Sequence, residues 1–201
     1  MSNTVIKTYA SPPIDRAEIF RYLRSEPTES LSDTVESALA EVEDKLTYKV
    51  CYRYFDISET DGELDLGFAT CSSHSLIKYL GGCDGIILFA ATVGSLLDRM
   101  IKRCSLISPA KALVLDAIGN ERVEALCDEF CKDIENEMIN KGRNVKKRFS
   151  PGYGDLPLEL QRCVFRALSP ESVIGVSLSE ALLMSPTKSV TAIIGIEETR
   201  K

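Results

Sequence analysis

GIILFAATVGSLLDR, residues 85–99, decides the fold class. Its first nine residues carry no charge and do not alternate with polar ones. A strand-length run of this kind belongs where both faces are covered, which is the place of a central strand. Gly94 and Ser95 then break the run and open a helix through Asp98, Met100 and Ile101. The run is far shorter than the ~20 apolar residues of a membrane span.

Working outward, TYKVCYRYFDI (47–57) puts Tyr48, Val50, Tyr52 and Tyr54 on one side of a second strand. The turn at 61–63 leads to a short strand in ELDLGFA (63–69), and the two are expected to pair as a hairpin. Asp33 is expected to begin a helix, with Val35, Ala38, Leu39, Val42 and Leu46 on one face. A short helix near 73–80 follows Ser72 or Ser73 and ends at Gly81-Gly82, with His74 exposed in its first turn. Ser108-Pro109 opens the longest helix, which runs to about Asn140 with an irregularity at Gly119-Asn120. Its buried stripe is expected to be Val123, Leu126, Cys127, Phe130, Ile134 and Met138. Pro157 opens a helix through Leu168, and VIGVSL (173–178) and SVTAIIGIEE (189–198) read as closing strands around a helical turn at 180–184. Together these signals predict an α+β fold: a single domain over 1–201, core about 12–197, with a largely antiparallel mixed sheet flanked by helices.

Composition removes several classes of function. Thirty acidic against 24 basic residues leave a net charge of −6, which argues against a nucleic-acid binder. The N-terminus lacks a basic region followed by an apolar stretch, so a cytoplasmic protein away from membranes is expected. Seven cysteines occur without any CxxC spacing and read as reduced core thiols, so no metal is expected. A single histidine makes a Ser-His-Asp triad a poor fit. GxGxxG after a strand, GxxxxGK[ST] and GxSxG are all missing.

The remaining signal is RFSPGYGDLPLELQ (148–161). Pro151 fixes φ, and Gly152 and Gly154 permit positive φ, so a tight turn is required. Turn chemistry does not explain Arg148 and Tyr153 on either side. A cation and a ring flanking exposed backbone suit an anionic, partly aromatic small molecule, although a plain surface loop has the same composition.

With that turn, three other motifs follow one order: FAATVG (89–94), Glu124 in RVEAL, and Met184-Ser185-Pro186-Thr187-Lys188-Ser189-Val190. In this, from about residue 14 to 196, the chain resembles the activation (reactivation) domain of cobalamin-dependent methionine synthase, here as a free-standing protein. The resemblance implies binding of S-adenosylmethionine and docking over cobalamin carried by a partner, a corrinoid-binding methionine synthase or other corrinoid protein. There, an electron from a flavodoxin- or ferredoxin-type donor and the ligand's methyl group restore methylcobalamin from cob(II)alamin. It further implies that Arg148 meets the methionine carboxylate, the Ser150 backbone the adenine side, Tyr153 the ligand's surface, and Glu124 and Asp15 its cationic end. No protein acid, base or nucleophile is needed, because the ligand's methyl is already activated.

Two departures stand out. Thr191–Ile196 offers no aromatic residue where the fused domain has one shortly after its late Ser-Val pair. The turn also continues as GDLPLELQ, in which Asp155 suits capping, and Asp155 and Gln161 are possible new contacts. The alternative function is a non-enzymatic docking module that caps a corrinoid protein and recruits a reductase without binding S-adenosylmethionine.

Overall fold

A computed structural model describes residues 4–197 of the chain. In chain order the elements are β1 (Val5–Tyr9), α1 (Arg16–Leu23), α2 (Glu29–Val42), β2 (Tyr48–Asp56), β3 (Ser58–Thr60), β4 (Glu63–Asp65), β5 (Thr70–Cys71), α3 (His74–Leu80), β6 (Cys83–Thr92), α4 (Leu96–Cys104), α5 (Pro109–Asn140), β7 (Asn144–Val145), α6 (Leu160–Leu168), α7 (Pro170–Ile174), β8 (Ser177–Leu178), β9 (Met184–Ser185) and β10 (Ser189–Glu197). The main sheet has the order β1-β2-β6-β10-β7, and every pairing in it is antiparallel. This is the α+β architecture that the sequence predicts.

β6 is the central strand, and its apolar run is buried from Ile86 to Ala91 because each face meets a different layer. Ile87, Phe89 and Ala91 enter a core built with Val35, Leu39, Leu126 and Phe130 of α2 and α5. Ile86, Leu88 and Ala90 enter a second core with Leu76 of α3, Val164 of α6 and Ile174 of α7. At about 1.5–3 kcal/mol for each large side chain removed from water, this double burial is the main reason the strand sits in the middle. The expected stripe of α5 is buried throughout, from Val123 to Met138.

Several local expectations are corrected. α2 starts at Glu29, four residues ahead of Asp33, because Thr28 supplies the cap by accepting from the Leu31 amide at 3.4 Å. The main sheet itself starts at Val5, with an edge strand whose residues are almost all exposed. The hairpin partner of β4 is β3, not β2, and both belong to a separate three-stranded sheet. Asp61 and Gly62 both take positive φ between β3 and β4, as a two-residue hairpin turn with the right twist requires. Of VIGVSL only Ser177–Leu178 is strand, since Pro170 draws Val173 and Ile174 into α7. No helix forms at 180–184.

α5 passes through Gly119 without interruption. The glycine is needed for space rather than for bending: a Cβ there would lie 2.8–2.9 Å from the Lys188 methylenes. Lys188 cannot swing aside, because its Nζ donates to Asp116 Oδ1 at 2.6 Å and to Asn120 Oδ1 at 2.7 Å. Alanine in a helix interior ordinarily gains about 1 kcal/mol over glycine, while overpacking costs about 1–3 kcal/mol. We therefore expect Gly119→Ala to lower the urea midpoint by a net loss of about 1 kcal/mol. A raised midpoint would show that the Lys188 stem yields freely.

Candidate functional site

α1 packs along the middle of α5, and a groove of about 480 Å³ lies between them, lined among others by Asp15, Glu18, Arg21, Glu121, Glu124 and Asp128. Carboxylates dominate its charge. Asp15 is the N-cap of α1: its Oδ1 accepts from the amides of Ala17 (2.9 Å) and Glu18 (3.2 Å). Its Oδ2 accepts no hydrogen bond among the described residues. Glu124 stands one helical turn beyond the buried Glu121 on α5, half-buried at the groove wall.

Strand geometry brings Arg148 to two of the groove's carboxylates, Glu124 and Asp128, from the cavity beside it. After β7 the chain continues alongside β10: the Lys146 amide donates to Gly195 O at 2.9 Å, and Phe149 and Ile193 exchange two backbone bonds at 2.8 Å. Side chains therefore alternate between the sheet's faces. Phe149 turns toward Tyr79, with ring centroids 5.0 Å apart, and Arg148 turns toward α5. There Nη1 donates to Asp128 Oδ1 at 2.6 Å and Nη2 donates to Glu124. Burial opposes the Arg148 charge, but Asp128 and Glu124 more than offset it, so the guanidinium stays firmly protonated. Asp128 also borders a second cavity of about 380 Å³ with Cys131, Lys147 and Arg148. Of the basic run 146–148 only Lys147 is exposed, since Lys146 Nζ donates to the Tyr79 and Gly81 carbonyls at the end of α3.

The turn after Arg148 forms as its composition demands, with Gly152 and Gly154 at positive φ. The Tyr153 amide donates to Ser150 O at 3.1 Å, and the Tyr153 ring, 69% exposed, stands edge-on to Phe149 at 5.3 Å. Ser150 and Tyr153 line neither cavity; they sit on the turn that leads away from Arg148. Asp155 anchors that turn to α3, accepting from Ser73 Oγ (2.6 Å), the His74 amide (2.8 Å) and the Ser75 amide (3.0 Å). Gln161 is buried in α6, away from both cavities.

The Ser73 hydroxyl and the two amides hold the Asp155 carboxyl well below the usual carboxylate range. A carboxylate depressed in the folded state stabilises above its unfolded pKa, about 3.9, and loses that contribution as pH falls toward the folded value. The melting-temperature gap between the wild type and Asp155→Ala should thus be constant at neutral pH and begin to close only below about pH 4. A gap that closes already near pH 6 would mean another group controls the anchor.

The two other motifs meet each other rather than the groove. Asp98 on α4 accepts from the Thr187 amide (2.8 Å) and Oγ1 (2.6 Å), and Ser189 and Thr92 share a hydroxyl bond of 2.9 Å. They lock the start of β10 to the end of β6. The segment Thr191–Ile196 lies inside β10, buried in the sheet. All seven cysteines are free, but only Cys51 and Cys127 are buried; the other five are half-buried. Burial pushes the Cys51 thiol up to about 12 and Cys127 well above its ordinary value. Among the described residues no cluster of His, Cys, Asp and Glu suited to a metal is found, and no helix is long and apolar enough to cross a membrane.

The structure thus places Asp15 and Glu124 on one groove, joins Arg148 to Glu124 and Asp128 from the adjoining cavity, and leaves Ser150 and Tyr153 on the turn beyond. Sequence reasoning missed Glu121, Arg122 and Asp128. Arg122 carried a usable signal: with Leu115, Ile118 and Leu126 it falls on the buried helical stripe, where a charge demands a partner.

A central antiparallel sheet with the long α5 across one face and an acidic groove against α1 defines an activation-domain-like α+β fold. No family model and no curated protein matches the chain. Among solved structures, the crystal structure of the MetH reactivation domain bound to AdoHcy aligns with a TM-score of 0.74 over 99% of this chain and 80% of that one, at 14% identity. The chain therefore has the fold of the MetH reactivation domain.

Proposed function

We propose that this protein binds S-adenosylmethionine in the α1–α5 groove and supports reductive methylation of cob(II)alamin on a separate corrinoid protein. The observation that supports this reading is that Asp15 and Glu124 line one groove and Arg148 pairs with Glu124 and Asp128 from the adjoining cavity, on a fold shared with an AdoHcy-bound domain. The electron comes from a flavodoxin- or ferredoxin-type protein and reduces the cobalt by one step; the sulfonium methyl then passes to cobalt, leaving a neutral thioether. The chain's own work is positioning. Arg148 orients the carboxylate end, and Asp15 Oδ2 and Glu124 stabilise the sulfonium and ammonium. Tyr153 and the Ser150 backbone are set to cover the adenosyl end from the turn.

Because the groove is acidic, a cationic sulfonium should bind several-fold more tightly than its thioether product, and isothermal titration with S-adenosylmethionine and AdoHcy tests this. Heat from neither ligand at millimolar concentration would remove the adenosyl-binding reading. One observation favours the docking-module alternative: both arms of the Arg148 fork are already taken by Glu124 and Asp128. Under that alternative the protein associates with a cob(II)alamin-loaded partner but yields no methylcobalamin at any S-adenosylmethionine concentration.

A further inference from the structure

The most deeply buried charges among the described residues are consecutive on α5, Glu121 (3% exposed) and Arg122 (1%). Four of the five donors of the Arg122 guanidinium are committed. Nε and Nη2 donate to the two Glu121 oxygens at 2.5 Å, and Nη1 and Nη2 donate to the carbonyls of Pro12 and Pro13, each at 2.7 Å. Glu121 Oε1 also accepts the Asp15 amide at 2.9 Å. Three positions of one short segment, Pro12, Pro13 and Asp15, are therefore tied to a single ion pair. Two prolines supply no amide of their own, so this segment cannot be held by a sheet ladder. Pro12, Pro13, Asp15 and Glu121 all line the groove, so the tied segment is one of its walls.

We propose that Glu121 and Arg122 are positioning residues of the ligand groove, acting through the Pro12–Asp15 strap to fix where the Asp15 carboxylate stands. This rests on the groove being the adenosyl site. Neither side chain is placed to hold the ligand: Arg122 is 1% exposed with four of its five donors engaged, and the Glu121 oxygens are spent on Arg122 and the Asp15 amide. Their effect on affinity is transmitted through the Asp15 backbone. A burial of two full charges is an inefficient source of stability, since a well-packed apolar pair is often equal or better, whereas it fixes geometry sharply.

The test is a double-mutant cycle on S-adenosylmethionine affinity, at a temperature where circular dichroism shows each variant folded. Glu121→Met/Arg122→Met removes both charges together and releases the strap; affinity should fall about tenfold, as for groups coupled through a shared segment. Asp15→Asn, which keeps a competent N-cap, should cost up to about fivefold in the wild type and nothing further in the released background. Arg148→Ala, outside the strap and paired with Glu124, should cost the same factor in both backgrounds. Hydrogen exchange at the Asp15 amide should quicken in the released variant alone. If Asp15→Asn costs the same in both backgrounds, or the released variant keeps wild-type affinity, the positioning role is wrong. Should the double variant not fold, Arg122→Lys, which keeps the charge but not the fork, runs the same cycle. A wild type that binds no S-adenosylmethionine at all overturns the ligand reading itself, and that outcome is visible in the first titration, before any variant is made.

Discussion

Arg148→Ala is expected to weaken S-adenosylmethionine binding by about 2 kcal/mol, roughly 30-fold, the low end for losing one partner of a charge pair shielded from water. The low end follows from what Arg148 does in the free protein. Its fork is not waiting empty; it holds Glu124 and Asp128, so the ligand carboxylate must exchange with one of them. Asp128 is the group to leave, because its side chain is 73% exposed and returns to water cheaply, whereas Glu124 is 40% exposed. The net gain is therefore a shielded pair formed minus an exposed pair broken. Arg148→Lys should recover only part of the loss, since an ammonium cannot satisfy a carboxylate and Glu124 with one planar fork. Titration curves that overlay the wild type for both variants would take Arg148 out of the site.

How far the sequence reveals this molecule depends on whether a signal is local. β6 and the stripe of α5 are legible because burial is written directly into residue type: an uncharged run, and apolar residues at helical spacing. β1 is not legible, since its residues are almost all exposed and it owes its place to pairing with β2, which no local pattern announces. The same holds for β3, whose register is set by Asp61-Gly62 and not by its own polar residues Ser58, Glu59 and Thr60. At the site, Arg148 could be singled out because turn chemistry left it unexplained. Asp15 and Glu124 entered through the resemblance and are joined in the fold by the crossing of α1 over α5. Arg122 escaped because Glu121-Arg122 inside a charged helix looks like a solvated face. Only the stripe position argues otherwise, and its remote partners, the Pro12 and Pro13 carbonyls, lie about a hundred residues away in a proline strap.

That strap sets the second large effect. Arg122→Ala is expected to cost about 3–5 kcal/mol of stability, the range for removing one partner of a buried pair. Four losses coincide: the Glu121 carboxylate is left 3% exposed without its cation, the Pro12 and Pro13 carbonyls lose their donors, and a cavity opens beneath α1. Burial works against the Arg122 charge, and Glu121 more than offsets it, so the guanidinium keeps its charge inside the protein. For a chain of this size, 1 kcal/mol corresponds to about 2–4 °C, and the melting temperature should drop by roughly 6–20 °C. Glu121→Met/Arg122→Met should lose much less than Arg122→Ala alone, because it leaves no unpaired charge inside the protein. This order, the double variant more stable than the single, separates a charge penalty from simple loss of packing. If Arg122→Ala and the double variant melt together within a degree or two, the buried pair carries no electrostatic cost and the strap is held by packing alone.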